Sequence, residues 1–204
     1  MDSDSFFDGK CGGKPYQSVR ISSPVGEIVV VGCPFGLHWI KQRRRIDDED
    51  FPFTDAPVRV LPENGKESEW YGPNVQAVAW IRDYFRDPSD SRQRVRPPLC
   101  SAALKSTEFT DRVRKTLETI PAGSVVTYGR LAESAGRPRG ARAAGGVARS
   151  NPFPFLVPCH RVVPKAGGTG EYSGGRVVKR WLLEREGAQT RPEKRPRIIT
   201  ERLM

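Results

Sequence analysis

The chain has 204 residues, 37% of them hydrophobic, and a formal net charge of +10 at pH 7. That length holds one large or two small domains with a core, and no apolar run nears the ~20 residues of a membrane-spanning helix. Four well-separated cysteines are not the disulfide framework of a small secreted domain, and the acidic opening Met1-Asp2-Ser3-Asp4 is not a signal peptide, so a reducing intracellular setting is expected.

In chain order, residues 17–22 and 27–32 predict two short strands around the turn Ser23-Pro24-Val25-Gly26. Val19 and Ile21 alternate with polar residues, and Ile28-Val29-Val30-Val31 is β-branched. Residues 37–41 predict a third strand. Arg43-Arg44-Arg45 and Asp47-Asp48-Glu49-Asp50 cancel locally and read as a solvated loop without functional role. Residues 51–72 look irregular. Over 75–87 the residues Val75, Val78, Trp80, Ile81, Tyr84 and Phe85 define a helical face closed by Asp87-Pro88. The polar, proline-bearing stretch 89–99 reads as an interdomain linker.

From residue 106 the pattern is helical. Phe109, Val113 and Leu117 lie four apart, and Pro121-Ala122-Gly123 ends the run. Residues 128–135 and 140–149 predict two short helices joined by a tight turn, a helix-turn-helix pattern. A last amphipathic helix over 177–186 is closed by Gly187. The tail 188–204 is polar and basic and is expected to be disordered; its Lys194-Arg195-Pro196-Arg197 is a weak nuclear-localisation hint.

Charge separates the two parts. Residues 1–105 hold 15 basic and 15 acidic side chains, and 106–204 hold 19 and 9, so the second part carries the whole excess. Such a field suits a polyanion such as nucleic acid; a merely soluble basic protein is the alternative. The second helix of the pair is almost without bulk: Ala141, Ala143, Ala144, Gly145, Gly146 and Ala148. Its glycines cost helix stability, about 1 kcal/mol each against Ala. Close approach to another surface, or tight packing inside the protein, would compensate.

The most informative stretch is Pro158-Cys159-His160-Arg161-Val162, after the apolar run Phe153-Pro154-Phe155-Leu156-Val157. Only a thiolate attacks carbon well, and burial raises a thiol's pKa, so a neighbouring base or cation is needed. His160 and Arg161 offer both; a packing cysteine beside an incidental histidine is the plain alternative.

With Val163, with Gly170-Glu171-Tyr172-Ser173-Gly174-Gly175, and with Lys179-Arg180-Trp181-Leu182-Leu183-Glu184-Arg185-Glu186-Gly187, this stretch resembles the O6-alkylguanine-DNA alkyltransferases. Ala141-Arg142-Ala143-Ala144-Gly145-Gly146 and Arg149-Ser150-Asn151-Pro152 fit the same family. The match is dense over 106–187 and looser back to about residue 16. The resemblance implies an α+β two-domain protein. Residues 1–98 would form a ribonuclease-H-like α/β domain with a small antiparallel sheet. Residues 99–187 would form a mostly helical, winged-helix-like domain with the helix-turn-helix.

By the same resemblance the activity is single-turnover, irreversible transfer of an alkyl group from O6-alkylguanine, and from O4-alkylthymine, in double-stranded DNA to Cys159. A monomer working in the nucleus is expected. The relay would run Cys159–water–His160–Glu186, with Tyr172 near guanine N3 and Asn151 tying the recognition helix to the cysteine loop. Arg142 would fill the gap left by the flipped nucleotide, Tyr128 would crowd its 3′ phosphate, and Arg139, Arg149, Ala143 and Gly145 would lie on the DNA. The pocket would use Val162, Ser173, Gly174 and Ala148, the last standing where family members often have methionine. Cys11, Cys33, His38 and Cys100 would hold a structural zinc, with no organic cofactor; four unrelated buried residues is the alternative. Competing functions are a sensor that binds alkylated DNA without repairing it, and a cysteine hydrolase. Sensors of that kind lack the cysteine present here.

Overall fold

The computed structural model describes residues 10–62, 69–89, 95–104 and 107–189. The centre of the predicted linker, and the basic tail beyond residue 189, lie outside the described residues.

A small hairpin of β1 (Lys10–Cys11) and β2 (Lys14–Pro15) precedes the main sheet. β3 (Gln17–Ser23), β4 (Gly26–Cys33) and β5 (Gly36–Gln42) form an antiparallel meander, and β6 (Arg59–Val60) adds to the outer edge of β3, giving the order β5-β4-β3-β6. The three predicted strands are found, each extended by one or two residues. Gly26 takes the β3–β4 turn at φ 91°, a left-handed conformation that other residues resist. Every residue of β4 from Ile28 to Cys33 is buried, as expected of a central strand covered on both faces.

α1 (Gly72–Arg86) lies between the sheet and the rest of the molecule. Ala77, Val78 and Ile81 join Val19, Ile21, Ile28 and Val30 in the core. Tyr84 and Phe85 instead pack against Phe155, tilted and edge-on, with ring centroids 5.8 and 5.4 Å apart. The two-residue β6 inside the stretch read as irregular is too short to show an alternation.

The second half is helical. α2 (Glu108–Thr119) is capped by the Thr107 hydroxyl, which accepts from the Thr110 amide. α3 (Tyr128–Ser134) is capped in the same way by Thr127. Gly136, at φ 78°, turns the chain toward α4 (Ala141–Arg149). α2, α3 and α4 pack on one another through Val113, Leu117, Leu131, Ala132, Ala144 and Ala148. β7 (Val126–Thr127) pairs in parallel with β8 (Val162–Val163), which fixes the chain just after Cys159 beside the start of α3. α5 (Arg176–Arg185) closes the fold. Among the described residues no helix is long and apolar enough to cross a membrane.

Candidate active site

Cys159 opens a single 3-10 turn, Cys159–Arg161, directly before β8. The approach to it is strained: Phe155 is the one non-glycine residue at positive φ among those described, at 69°, and its ring is locked in the core against Tyr84 and Phe85. Asn151 sets the shape of this loop. Its Oδ1 accepts from the Phe153 amide at 3.0 Å, and its Nδ2 donates to the Val157 carbonyl at 2.8 Å and lies 3.1 Å from Cys159 Sγ.

Cys159 is 6% exposed. Burial raises its pKa, and the Asn151 hydrogen bond and the charge of Lys179 oppose that rise. The balance leaves a thiol at neutral pH, so nucleophilic attack requires a base. His160 is fully buried, and burial lowers its pKa below the usual imidazole value. Its Nε2 lies 2.9 Å from Glu186 Oε1. A carboxylate accepts only, so Nε2 carries the proton and Nδ1 offers the lone pair. Burial works against the Glu186 carboxylate, but His160, charged once the pH falls that low, and the Arg161 guanidinium outweigh it with their charges and hydrogen bonds and hold its pKa down at about 2.

Cys159 lies in the wall of a cavity of about 850 Å³, which Tyr128, Arg142, Gly145, Ala148 and Arg149 line from one side and Tyr172 and Ser173 from another. Tyr172 is buried and its phenol pKa is raised well above the ordinary value by that burial, so it remains a hydrogen-bond donor. Gly174 lies in an adjoining cleft with Asn151. Along α4, Arg142, Ala143, Gly146 and Arg149 are exposed, a stripe at helical spacing. Gly145 is turned away from that stripe: a Cβ there would meet the Tyr128 ring at 3.5 Å. Arg139 is exposed in the turn before α4 and does not line the cavity. Nor does Val162, which is fully buried and whose carbonyl accepts from Lys179 Nζ at 2.6 Å.

The family model for the DNA-binding domain of 6-O-methylguanine DNA methyltransferase matches residues 108–188, the part that carries most of the charge excess. A human methylated-DNA–protein-cysteine methyltransferase is 40% identical over 169 residues, covering 82% of this chain and 78% of its own length. The chain belongs to the methylated-DNA–protein-cysteine methyltransferase family. The methyltransferase of Shigella flexneri is 51% identical over 165 residues, covering 77% of this chain and 93% of its own. A Mycobacterium tuberculosis OGT solved in complex with DNA aligns at TM-score 0.58 and 30% identity, over 84% of this chain and 92% of that one.

In this family member a second cluster lies in the first half. Ligand atoms of Cys11, Cys33, His38 and Cys100 all fall within 4.8 Å of one another. The Cys11 and Cys100 sulfurs are 3.5 Å apart, too far for a disulfide, and His38 Nε2 is 3.3 Å from Cys33 Sγ. Zn–S bonds of about 2.3 Å and Zn–N bonds of about 2.0 Å at tetrahedral angles place ligands about 3.5–3.8 Å apart. The donor set suits a tetrahedral metal ion, and the Cys11–Cys100 and Cys33–His38 separations of 3.5 and 3.3 Å are close to these values.

Tyr84 and Arg45 lie outside every motif of the site, whereas Arg161 and Lys179 lie within motifs and take parts there that the motifs do not specify. Tyr84, from α1, donates its hydroxyl to Glu186 Oε1 at 2.7 Å. Arg161 grips Glu186 with two hydrogen bonds of 2.8 Å and the Ile120 carbonyl with a third. Lys179 is 1% exposed, and burial pulls its pKa down to about 8. Arg45 lines the Cys159 cavity, so the segment read as a solvated loop without a role is in fact part of the site wall.

Proposed function

We propose that the protein repairs duplex DNA by moving the alkyl group of O6-alkylguanine, or of O4-alkylthymine, onto Cys159 once per molecule. The observation that carries this is the convergence at Cys159. Asn151 holds the sulfur, His160 is oriented by Glu186, and the thiol borders a cavity between α4 and the loop 171–174.

The exposed stripe of α4, free of bulk between Arg142 and Arg149, enters the minor groove. Arg142 takes the space of the extruded nucleotide and Tyr128 crowds its phosphate, because a stacked base cannot reach a recessed thiol. Arg139 and Arg149 bind phosphates. His160 Nδ1 takes the thiol proton through a water. The sulfur–carbon bond forms as the carbon–O6 bond breaks, and the electron pair stays on the guanine. The Ser173 N–H supports O6, and the Tyr172 hydroxyl donates a hydrogen bond to the ring at N3, stabilising the guanine anion. A thioether has no easy hydrolytic or reverse route, which makes the reaction stoichiometric. A zinc held by Cys11, Cys33, His38 and Cys100 braces the first half and takes no part in the transfer. With DNA as its substrate, the protein is proposed to work in the nucleus.

Intact mass after incubation with a duplex holding one O6-methylguanine tests the reading. We expect the protein to gain one methyl group and the Cys159→Ser variant to gain none. An unchanged mass with tight binding would make the protein a sensor, and multiple-turnover release would make it a hydrolase.

A further inference from the structure

Residues 45–47 come from the first half of the chain, yet they hold the loop 171–175 at several points. The Arg45 guanidinium donates to the Tyr172 carbonyl at 2.8 Å and to Glu171 Oε2 at 2.9 Å, and is itself braced by Asp47 at 2.5 and 3.0 Å. The Ile46 amide donates to the Gly174 carbonyl at 2.9 Å. Asp47 Oδ1 accepts from the Arg176 amide at 3.1 Å, at a helix start with no side-chain cap of its own. The approach is close enough to dictate sequence. A Cβ on Gly175, itself at φ 110°, would lie 1.8 Å from the Ile46 carbonyl oxygen, a backbone atom.

We propose that Arg45 is a positioning residue for alkyl transfer, acting through the Tyr172–Ser173 peptide. The Tyr172 C=O and the Ser173 N–H belong to one planar unit and point in opposite directions. Anchoring the oxygen on Arg45 therefore aims the N–H away from Arg45. This inference rests on the proposed role of that N–H at O6 of the alkylated base. A donor aimed at a developing negative charge contributes to rate only while its direction is held. Arg45 supplies the hold with a charge-assisted hydrogen bond, stronger than a neutral one. The carboxylates of Asp47 and Glu171 hold the guanidinium in place.

The test uses single-turnover transfer from free O6-benzylguanine, which needs no DNA contact, in the full chain and in Arg45→Ala and Arg45→Lys. Final amplitude counts folded, competent molecules, whereas the rate constant reports the site. Arg45→Ala is expected to keep full amplitude and lose roughly tenfold in rate constant, the weight of one hydrogen bond to a charged group. Arg45→Lys, able to donate to the same carbonyl, recovers part of the loss. Amide hydrogen exchange at 172–175 should quicken in Arg45→Ala. An unchanged rate constant, a loss confined to amplitude, or unchanged exchange would overturn the proposal. If the wild-type protein gains no benzyl group, the same rate constants are read with the O6-methylguanine duplex; failure there too overturns the functional reading, and the exchange measurement still decides whether Arg45 holds the loop.

Discussion

Glu186 is the residue on which the relay balances. Its carboxylate meets Arg161 twice, His160 once and Tyr84 once. A carboxylate serving His160 alone would favour the imidazolium and spoil the base. Sharing its charge with Arg161 and the Tyr84 hydroxyl weakens that pull, and burial then keeps His160 neutral. Tyr84→Phe should shift this balance without disturbing the ring packing against Trp80 and Phe155. With one donor fewer, Glu186 stabilises the imidazolium more, so the His160 pKa rises and its base form is lost at higher pH. The acid limb of the pH–rate profile with free O6-benzylguanine is expected to move up by about half a unit to one unit. Unchanged limbs would leave Tyr84 a packing residue. Cys159 and His160 were legible because they are adjacent in sequence. Tyr84 and Arg45 were not, because they lie 102 and 126 residues from the Glu186 and Glu171 they serve. In sequence Tyr84 is simply one more member of an apolar helical face, and its ring does lie in the core; only the hydroxyl departs from that reading.

At the scale of elements, the helices were readable to within a few residues because each has a periodic apolar face and a capping or breaking residue at its end. The two-residue strands β7 and β8 have neither, and they form only because the Cys159 turn is brought beside α3. The acidic run after Arg45 shows why local charge balance misleads. Asp47 caps α5, Glu49 pairs with Arg180, and Asp55 pairs with Arg185 at 2.6 Å, so these charges dock one half of the protein on the other. α4 shows the reverse case, in which a feature costly to the fold is kept. Gly146 is exposed in the helix interior and a Cβ there would meet no atom within 4 Å. Gly146→Ala should therefore stabilise the protein by up to about 1 kcal/mol, while the added methyl group on the exposed stripe weakens duplex binding. Thermal unfolding and DNA titration at fixed salt, measured on the same preparation, check both halves. Equal or tighter duplex binding by the variant would mean that this face of α4 does not enter the groove.

On the scale of the whole molecule, the first half provides no acceptor thiol, yet it supplies the Tyr84 hydroxyl, the Arg45 anchor and the caps and ion pairs that seat α5. Beside its sheet–helix core, several of its segments meet at one point. The metal-type cluster joins β1 through Cys11, the end of β4 through Cys33, β5 through His38, and the segment leaving the domain through Cys100. That last segment is pressed tightly in place: Leu37 and Cys100 are hydrogen-bonded through their backbones, and a Cβ on Gly36 would lie 2.5 Å from the Cys100 nitrogen. A tetrahedral ion closing these four ligands adds its binding free energy directly to folding. Protein expressed with adequate zinc should accordingly carry close to one equivalent, and chelation should lower the unfolding midpoint by about 10 °C or more. Because the cluster lies on the sheet and Cys159 beyond α1, benzyl transfer measured well below both midpoints should keep its rate constant within about twofold, a change of less than 0.5 kcal/mol in barrier. Metal analysis, thermal unfolding and single-turnover transfer on the same chelated sample separate the outcomes. A fold indifferent to chelation would return the four residues to ordinary core packing. A normal midpoint with a slowed transfer would place the metal in the chemistry instead.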